Sequence, residues 1–116
     1  MTRRRAERLT GYEIRRMVTG DSGFRYAAFD GADVVAESWH ADERLALDRL
    51  VARVYARHRE LVLERHAWQC ARCGRSRSLQ IHHRKFRSHG GTHRTVNLEP
   101  VCWECHDLIH RIERSK

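Results

Sequence analysis

The sequence predicts an α+β fold in which a small antiparallel β-meander and an amphipathic helix precede a compact C-terminal module. Three observations support this prediction. Apolar and polar residues mix in short runs on either side of Asp30-Gly31, a turn-forming dipeptide. Further along the chain, apolar residues recur at steps of three or four, as on one face of a helix. Beyond residue 66 lie all four cysteines of the chain, together with clustered histidines.

The first 58 residues are expected to form an arm and an accessory region. Residues 1–10 have the composition of a basic N-terminal arm, and residues 11–58 predict a meander followed by a helix. The helix begins near Asp42, whose charge suits the positive end of the helix dipole, and it either continues to about Arg65 or breaks near His58. Its apolar face is expected to cover the meander, which is too small to be stable alone. Core positions are expected among the apolar residues of both elements: Phe24, Tyr26, Val34, Val35, Trp39, Leu45, Leu47, Leu50, Val51, Val54, Tyr55, Leu61 and Val62.

Charge is concentrated in the C-terminal half. The chain of 116 residues has a net charge of +8; residues 67–116 carry ten Lys/Arg and four Asp/Glu, and residues 1–66 carry thirteen and eleven. This excess predicts a polyanionic partner, most simply DNA, with a solvated charged surface as the alternative. No apolar run approaches the roughly 20 residues of a membrane helix, and the N-terminus lacks the apolar segment of a signal peptide. A cytoplasmic location is therefore expected, where cysteines more often bind metals than form disulfides.

The cysteines are arranged as two Cys-x-x-Cys pairs. Cys70 and Cys73 form the first pair, Cys102 and Cys105 form the second, and 28 residues separate the pairs. Four thiolates suit a closed tetrahedral zinc site, which has no open position and is therefore structural rather than catalytic. The alternative is a set of buried free cysteines. The gap exceeds the roughly 15–20 residues of common zinc ribbons, so an insertion is expected between the two halves.

Histidines in this insertion and after the last cysteine predict a second metal site. His106 and His110 are four residues apart and share one helix face, while Cys105 projects about 100° away from His106. In an extended strand His82 and His83 point to opposite sides, so one can join the helical pair while the other faces substrate or water. Three imidazoles leave coordination positions open, as a catalytic ion requires. A surface or packing role for each histidine is the alternative.

Residues 63–110 resemble the HNH endonuclease family. The features that carry the resemblance are the helix leading into Cys-x-x-Cys, the His-His pair, a Gly-Gly loop, Asn97-Leu98, and the final Cys-x-x-Cys-His-x-x-x-His. The resemblance implies a zinc-stabilised ββα-metal fold over residues 59–116, in which a hairpin carries the His-His pair and a helix carries His106 and His110. It also implies bacterial or phage origin.

The resemblance further implies a role for each matched residue. His83 corresponds to the general base that activates water, and Asn97 corresponds to the residue that orders the loop. His82, His106 and His110 correspond to ligands of one divalent ion, for which Mg²⁺, Mn²⁺, Ni²⁺ and Zn²⁺ are the candidates. Beside the base, three cations are expected to contact DNA phosphates, or else to form a solvated basic loop: Arg84, Lys85 and Arg87.

The expected function is hydrolysis of DNA phosphodiester bonds by a metal-dependent endonuclease. Each active site would nick one strand, so that double-strand cleavage requires two binding events or two copies, as in a homodimer. The alternative is a catalytically silent, zinc-stabilised module that binds nucleic acid. A third possibility, a zinc-dependent adaptor for other proteins, leaves the histidines and the basic charge unexplained. The enzyme is favoured because the complete set is present: His82, His83, Asn97, His106 and His110.

Overall fold

The structure, a computed structural model, describes residues 1–18, 20 and 22–114. Positions 19 and 21 of the predicted accessory region, and positions 115 and 116 of the predicted nuclease domain, lie outside the described residues. The elements follow the order α1 (Arg3–Thr10), β1 (Glu13–Met17), β2 (Phe24–Asp30), β3 (Asp33–His40), α2 (Glu43–Arg65), β4 (Leu79–His83), β5 (Leu98–Cys102) and α3 (Trp103–Arg114). The predicted α+β class is confirmed.

Two compact units make up the chain. The N-terminal unit comprises residues 1–57 together with residues 92–94, and the C-terminal unit comprises residues 58–91 and the chain from residue 95 onward. The division falls within α2, which is continuous from Glu43 to Arg65 and does not break at His58. Across the described ranges, no helix combines the length and the apolar content needed to cross a membrane.

The N-terminal unit is built on an antiparallel sheet with the strand order β1-β2-β3. A two-residue loop joins β2 to β3, and Gly31 in this loop has a φ of +63°, which a residue without a Cβ adopts readily. The predicted meander is therefore present. Asp42 starts the helix that follows, because its Oδ1 accepts a hydrogen bond from the Leu45 amide at 3.1 Å.

One face of α2 packs on this sheet and forms the core of the unit. The helix residues buried in this core lie on one face of α2: Ala46, Leu47, Leu50, Val51 and Val54. Leu45, which was expected in the core, is 47% exposed because it lies two residues, about 200°, from Leu47 around the helix. Val34 and Trp39 are also exposed, since they pair with Phe29 and Arg25 on the sheet face opposite to Tyr26.

Residues 3–10 form a helix, whereas their composition indicated a basic arm. Thr2 caps the helix by accepting a hydrogen bond from the Arg5 amide, and Gly11 ends it in the left-handed conformation with a φ of +80°. Ala6 and Leu9 are buried in the core of the N-terminal unit. The physical reason for the difference is the apolar pair one turn apart, which gives this short basic segment a face to bury.

The C-terminal unit is a two-stranded hairpin followed directly by a helix. β4 and β5 are antiparallel, with His82 opposite Glu99 and His83 opposite Leu98. α3 begins at Trp103, immediately after the last residue of β5. The buried cluster is small and consists of Val101 with Cys70 and Cys102, against which Leu79, Cys105 and Ile109 pack.

The packing of α2 generates a stability prediction. Leu50 is fully buried, so Leu50→Ala should lower the free energy of unfolding by about 2–5 kcal/mol, through lost burial and the cavity left behind. Leu45→Ala, on the exposed face of the same helix, should change it by less than about 0.5 kcal/mol. Urea denaturation followed by far-UV circular dichroism measures both values. Equal destabilisation by the two substitutions would contradict the assigned helix face.

Candidate functional site

The four cysteines lie together in the C-terminal unit. One Sγ from each cysteine lies within 4.8 Å of the others, and the Sγ atoms of Cys73 and Cys102 are 3.6 Å apart. A tetrahedron with Zn–S bonds of about 2.3 Å has edges of about 3.8 Å, so the spacing fits a four-thiolate ion. Three pieces of chain supply the donors: the loop after α2, the end of β5 and the first turn of α3.

The first Cys-x-x-Cys pair forms a turn whose amides point at sulfur. The backbone N–H groups of Arg72 and Cys73 donate to Cys70 Sγ at 3.4 and 3.5 Å. Burial opposes ionisation of Cys70, but the backbone N–H groups of Cys102, Cys73 and Arg72 together lower the pKa of its thiol to about 6. The contact with Cys102, followed by burial, raises the pKa of Cys105 to about 12. Because neighbouring thiols oppose each other's ionisation, a cation is what would allow all four to be thiolates.

Three of the four predicted site histidines converge beside this cluster. One ring nitrogen from each of His82, His106 and His110 lies within 4.8 Å of the others. The Nε2 atoms of His106 and His110 are 3.1 Å apart, as their spacing of one helical turn allows. His82 comes from β4 and is 3% exposed, whereas the two helical histidines are half-buried and line a cleft with Gln80, Trp103, Asp107 and Arg114.

The surroundings of these imidazoles favour their neutral, metal-binding form. Burial lowers the pKa of His82, and the other two histidines lower it further, while Glu99 acts in the opposite direction. Burial and the neighbouring His110 lower the pKa of His106. Neutral imidazoles ligate divalent ions, and three of them leave further coordination positions for water or substrate.

The first turn of α3 supplies donors to both clusters. Cys105 belongs to the cysteine cluster, and the next residue, His106, belongs to the histidine cluster. A rotation of about 100° per residue separates their side chains. Closely spaced cysteines and histidines at the end of the chain therefore serve two separate groups of donors.

His83 is next to His82 on β4 and is not a member of the histidine cluster. Burial lowers the pKa of this half-buried residue, and the charge of Arg87 lowers it further. An imidazole with such a pKa is neutral at pH 7 and can accept a proton.

Asn97 lies directly before β5 and contacts the start of the loop that follows β4. Its side-chain Oδ1 accepts from the Lys85 amide at 2.8 Å, and its Nδ2 donates to the Lys85 carbonyl at 3.2 Å. Its backbone carbonyl accepts from the Arg84 amide at 2.8 Å. The two residues that follow His83 thus have a fixed backbone, because three hydrogen bonds hold them to one asparagine.

The Gly-Gly pair closes this loop. Gly90 has a φ of +84°, and a Cβ on Gly91 would lie 1.8 Å from the Lys85 carbonyl oxygen. The Gly91 amide donates to the Phe86 carbonyl at 2.9 Å. A side chain at position 91 would therefore force the backbone after His83 to move.

The three cations predicted to contact nucleic acid follow His83 and are exposed. Lys85 and Arg87 make no ion pair within the described residues, whereas Arg84 lies 3.6 Å from a carboxylate oxygen of Glu99. The positive charge of this loop therefore faces solvent beside the hairpin that carries His82 and His83.

Sequence reasoning missed three residues that surround the histidine cluster. Phe86 packs against the imidazole of His110 with ring centroids 5.0 Å apart, and it meets the ring of His82 edge-on at 5.6 Å. Glu99 is buried opposite His82, and Arg72 binds it. The signal for Phe86 was its position four residues after His82, but Glu99 and Arg72 become visible only once the hairpin register is known.

Comparison with known proteins supports this description of the C-terminal unit. Residues 70–111 match the family model described as HNH endonuclease. Neither the curated proteins nor the solved structures contain a match to the chain. A domain of this family suggests a nuclease or nucleic-acid-binding function with a metal site, and its nucleases act on DNA. The segment that matches the HNH endonuclease family model therefore contains both groups of side chains that could hold a metal ion.

Proposed function

We propose that the protein is a metal-dependent endonuclease that hydrolyses DNA phosphodiester bonds. His83 acts as the general base, and His82, His106 and His110 hold one divalent ion. The convergence of these three imidazoles, inside a segment that matches the HNH family, is the observation that carries the proposal. Residues 59–116 are assigned to the nuclease and residues 11–58 to an accessory region.

The donors fit a catalytic ion. Imidazole nitrogens suit Zn²⁺ and Ni²⁺ better than Mg²⁺, which prefers oxygen. When bound, the ion supplies Lewis-acid stabilisation of the charge that develops on the phosphate and on the leaving 3′ oxygen. The four cysteines, in contrast, offer a closed donor set, and we assign them a structural Zn²⁺.

The chain's own residues supply the remaining chemistry. Neutral His83 accepts a proton from the attacking water, and the products are a 5′-phosphate and a 3′-hydroxyl. Asn97 keeps the backbone after His83 in place through its contacts with Lys85. Arg84, Lys85 and Arg87 bind backbone phosphates and position the strand.

The second candidate is a silent module that binds nucleic acid without cleaving it. The basic half of the chain supports this candidate as well as it supports the enzyme. A plasmid-nicking assay with Mg²⁺, Mn²⁺, Ni²⁺ or Zn²⁺, and with EDTA as the control, separates the two. Retained DNA binding without nicking under any ion would favour the silent module.

Substitution of the proposed base should remove cleavage while the fold is retained. His83→Ala is expected to lower the nicking rate by roughly 10²–10⁴-fold, because no other group would accept the proton of water. His66→Ala, in the same unit but outside the histidine cluster, should nick at the wild-type rate. Rates are measured on supercoiled plasmid at saturating metal. Wild-type nicking by the His83→Ala protein would exclude this base.

The imidazole ligands should determine the affinity for the catalytic ion. His110→Ala removes one of three donors and should weaken Ni²⁺ binding by more than about 100-fold, since even the loss of an outer-shell partner costs 10–100-fold. Calorimetric titration of Ni²⁺ into zinc-loaded protein measures this change. Unchanged Ni²⁺ affinity would show that the ion binds elsewhere.

Tightly bound zinc should depend on the cysteines and not on the histidines, which a comparison of Cys73→Ser with His110→Ala tests. Cys73→Ser should lose tightly bound zinc and the thermal transition of the C-terminal unit, because structural zinc in small modules contributes on the order of 10 kcal/mol of apparent binding energy. His110→Ala should retain one zinc ion per chain. Elemental analysis after dialysis provides the metal content. A Cys73→Ser protein that still held one zinc ion and melted like the wild type would contradict the structural site.

A further inference from the structure

Glu99 is a buried carboxylate between two arginines. It is 4% exposed, and it is the only acidic residue buried to this extent in the described ranges. Its Oε1 accepts hydrogen bonds from Nη2 and Nε of Arg72 at 2.7 and 3.2 Å, and its Oε2 lies 3.6 Å from Nη2 of Arg84. Both carboxylate oxygens therefore face a guanidinium, as a buried charge requires.

The position of Glu99 places this group beside the histidine cluster. Glu99 is the direct cross-strand partner of His82, and directly opposed residues in an antiparallel pair project on the same face. Burial has the largest effect on the pKa of His82, but Glu99 raises this pKa and Arg72 lowers it, so both charges act on a proposed metal ligand.

The charges of Arg72, Glu99 and Arg84 do not cancel, and the excess positive charge would attract an anion. Within the group itself, one carboxylate neutralises one of the two guanidiniums and leaves a charge of +1. Glu99 has the largest effect in raising the pKa of Arg72, and Cys105 and Cys70 add smaller effects in the same direction. The side chains of Arg72 and Arg84 are 52% and 55% exposed, and Arg72 uses two of its five N–H donors on Glu99. A guanidinium is planar, so the donors that are not used on Glu99 have the arrangement that matches phosphate oxygens.

Hydrogen bonds fix the backbone of both arginines. Arg72 lies between Cys70 and Cys73, and its amide donates to Cys70 Sγ at 3.4 Å. The Arg84 amide donates to the Asn97 carbonyl at 2.8 Å. The backbone of both residues therefore loses little conformational freedom when a ligand binds, which favours binding.

We propose that Arg72, Glu99 and Arg84 form a binding site for a backbone phosphate of DNA next to the cleavage position. Arg72 and Arg84 contact the phosphate, and Glu99 is a positioning residue that holds the two guanidiniums side by side. The inference rests on the proposed function for its ligand, and it adds Arg72, a residue of the first Cys-x-x-Cys turn, to the substrate contacts.

The salt dependence of DNA binding tests the phosphate contact directly. The full zinc-loaded chain is titrated with a fluorescent 20-base-pair duplex between 50 and 300 mM KCl, without any other divalent ion. Arg72→Ala should weaken binding about tenfold at 100 mM KCl and reduce the slope of log K against log[salt] by about 0.9, the value for one phosphate contact. Arg72→Lys keeps the charge without the planar fork, so it should restore the slope but only part of the affinity.

Arg75→Ala is the matched control. Arg75 lies two residues beyond Cys73 and also pairs with a carboxylate, but its partner Glu104 is exposed. The proposal requires the slope and the affinity of Arg75→Ala to stay close to the wild type. If Arg75→Ala lowered the DNA affinity and the salt slope as much as Arg72→Ala, general electrostatics would explain the effect and the proposed phosphate site would be wrong.

Glu99→Gln tests the positioning role. The substitution makes the protein more positive, so general electrostatics predicts tighter binding. The proposal predicts binding weaker by about tenfold, because the amide nitrogen of Gln is a donor and cannot hold the second guanidinium. Tighter binding than the wild type would overturn the role of Glu99, provided that zinc content and the thermal transition are preserved. Arg72→Lys still tests the site if the Gln variant does not fold.

The nicking assay separates this inference from the proposed function. At saturating metal, Arg72→Ala should raise KM about tenfold and change kcat by less than threefold, whereas a structural role alone would not move KM selectively. If the wild type failed to nick under every ion while the slopes differed as described, the enzyme proposal would fail and the phosphate site would stand. If His83→Ala abolished nicking while Arg72→Ala kept the wild-type slope, the phosphate site would fail and the enzyme would stand.

Discussion

The first turn of α3, which carries Cys105 and His106, determines how the C-terminal unit is organised. β5 ends at Cys102 and α3 begins at the next residue, so the second pair of cysteines lies across the joint between strand and helix. Bringing Cys102 and Cys105 to the first pair of cysteines fixes the direction and the rotation of α3. The helix face that carries His106 and His110 is then directed toward His82, and one ring nitrogen of each histidine lies within 4.8 Å of the others. The cysteine cluster therefore orients the histidine cluster although it shares no ligand with it.

A small core makes this dependence on a metal understandable. The buried cluster at the cysteines has three members, two of which are cysteines, and a few further apolar side chains of the unit are buried, among them Val62, Leu63 and Leu98. Hydrophobic burial on this scale gives little stability against the entropy of the chain. Four thiols in contact cannot all ionise without a cation, as the divergent pKa values of Cys70 and Cys105 indicate. A zinc ion would both remove this repulsion and add to the stability that the small core provides.

The sequence allowed prediction of the features that depend on local spacing. The Cys-x-x-Cys pairs, the i,i+4 histidines and the meander follow from periods of two to four residues, and all of these elements are present in the structure. The N-terminal helix escaped prediction because its buried face consists of only Ala6, Leu9 and Thr10. Leu45 and Trp39 were expected in the core because hydrophobicity alone does not show which side of an element is covered. Glu99 and Arg72 are 27 residues apart, so their contact depends on the hairpin register rather than on any local pattern.

The structure also shows where the unpaired positive charge of the C-terminal half lies. Two of its arginines, Arg75 and Arg111, are paired with exposed carboxylates and add no net charge locally. The loop after His83 keeps Lys85 and Arg87 without such partners among the described residues. Arg87 adds to the effect of burial in lowering the pKa of His83. In the proposed mechanism a cation that attracts the DNA backbone thus also helps to keep the base unprotonated near pH 7. The positive charge of Arg87 therefore serves both the attraction of DNA and the acceptance of a proton by His83. An acidic residue at position 87 would oppose both.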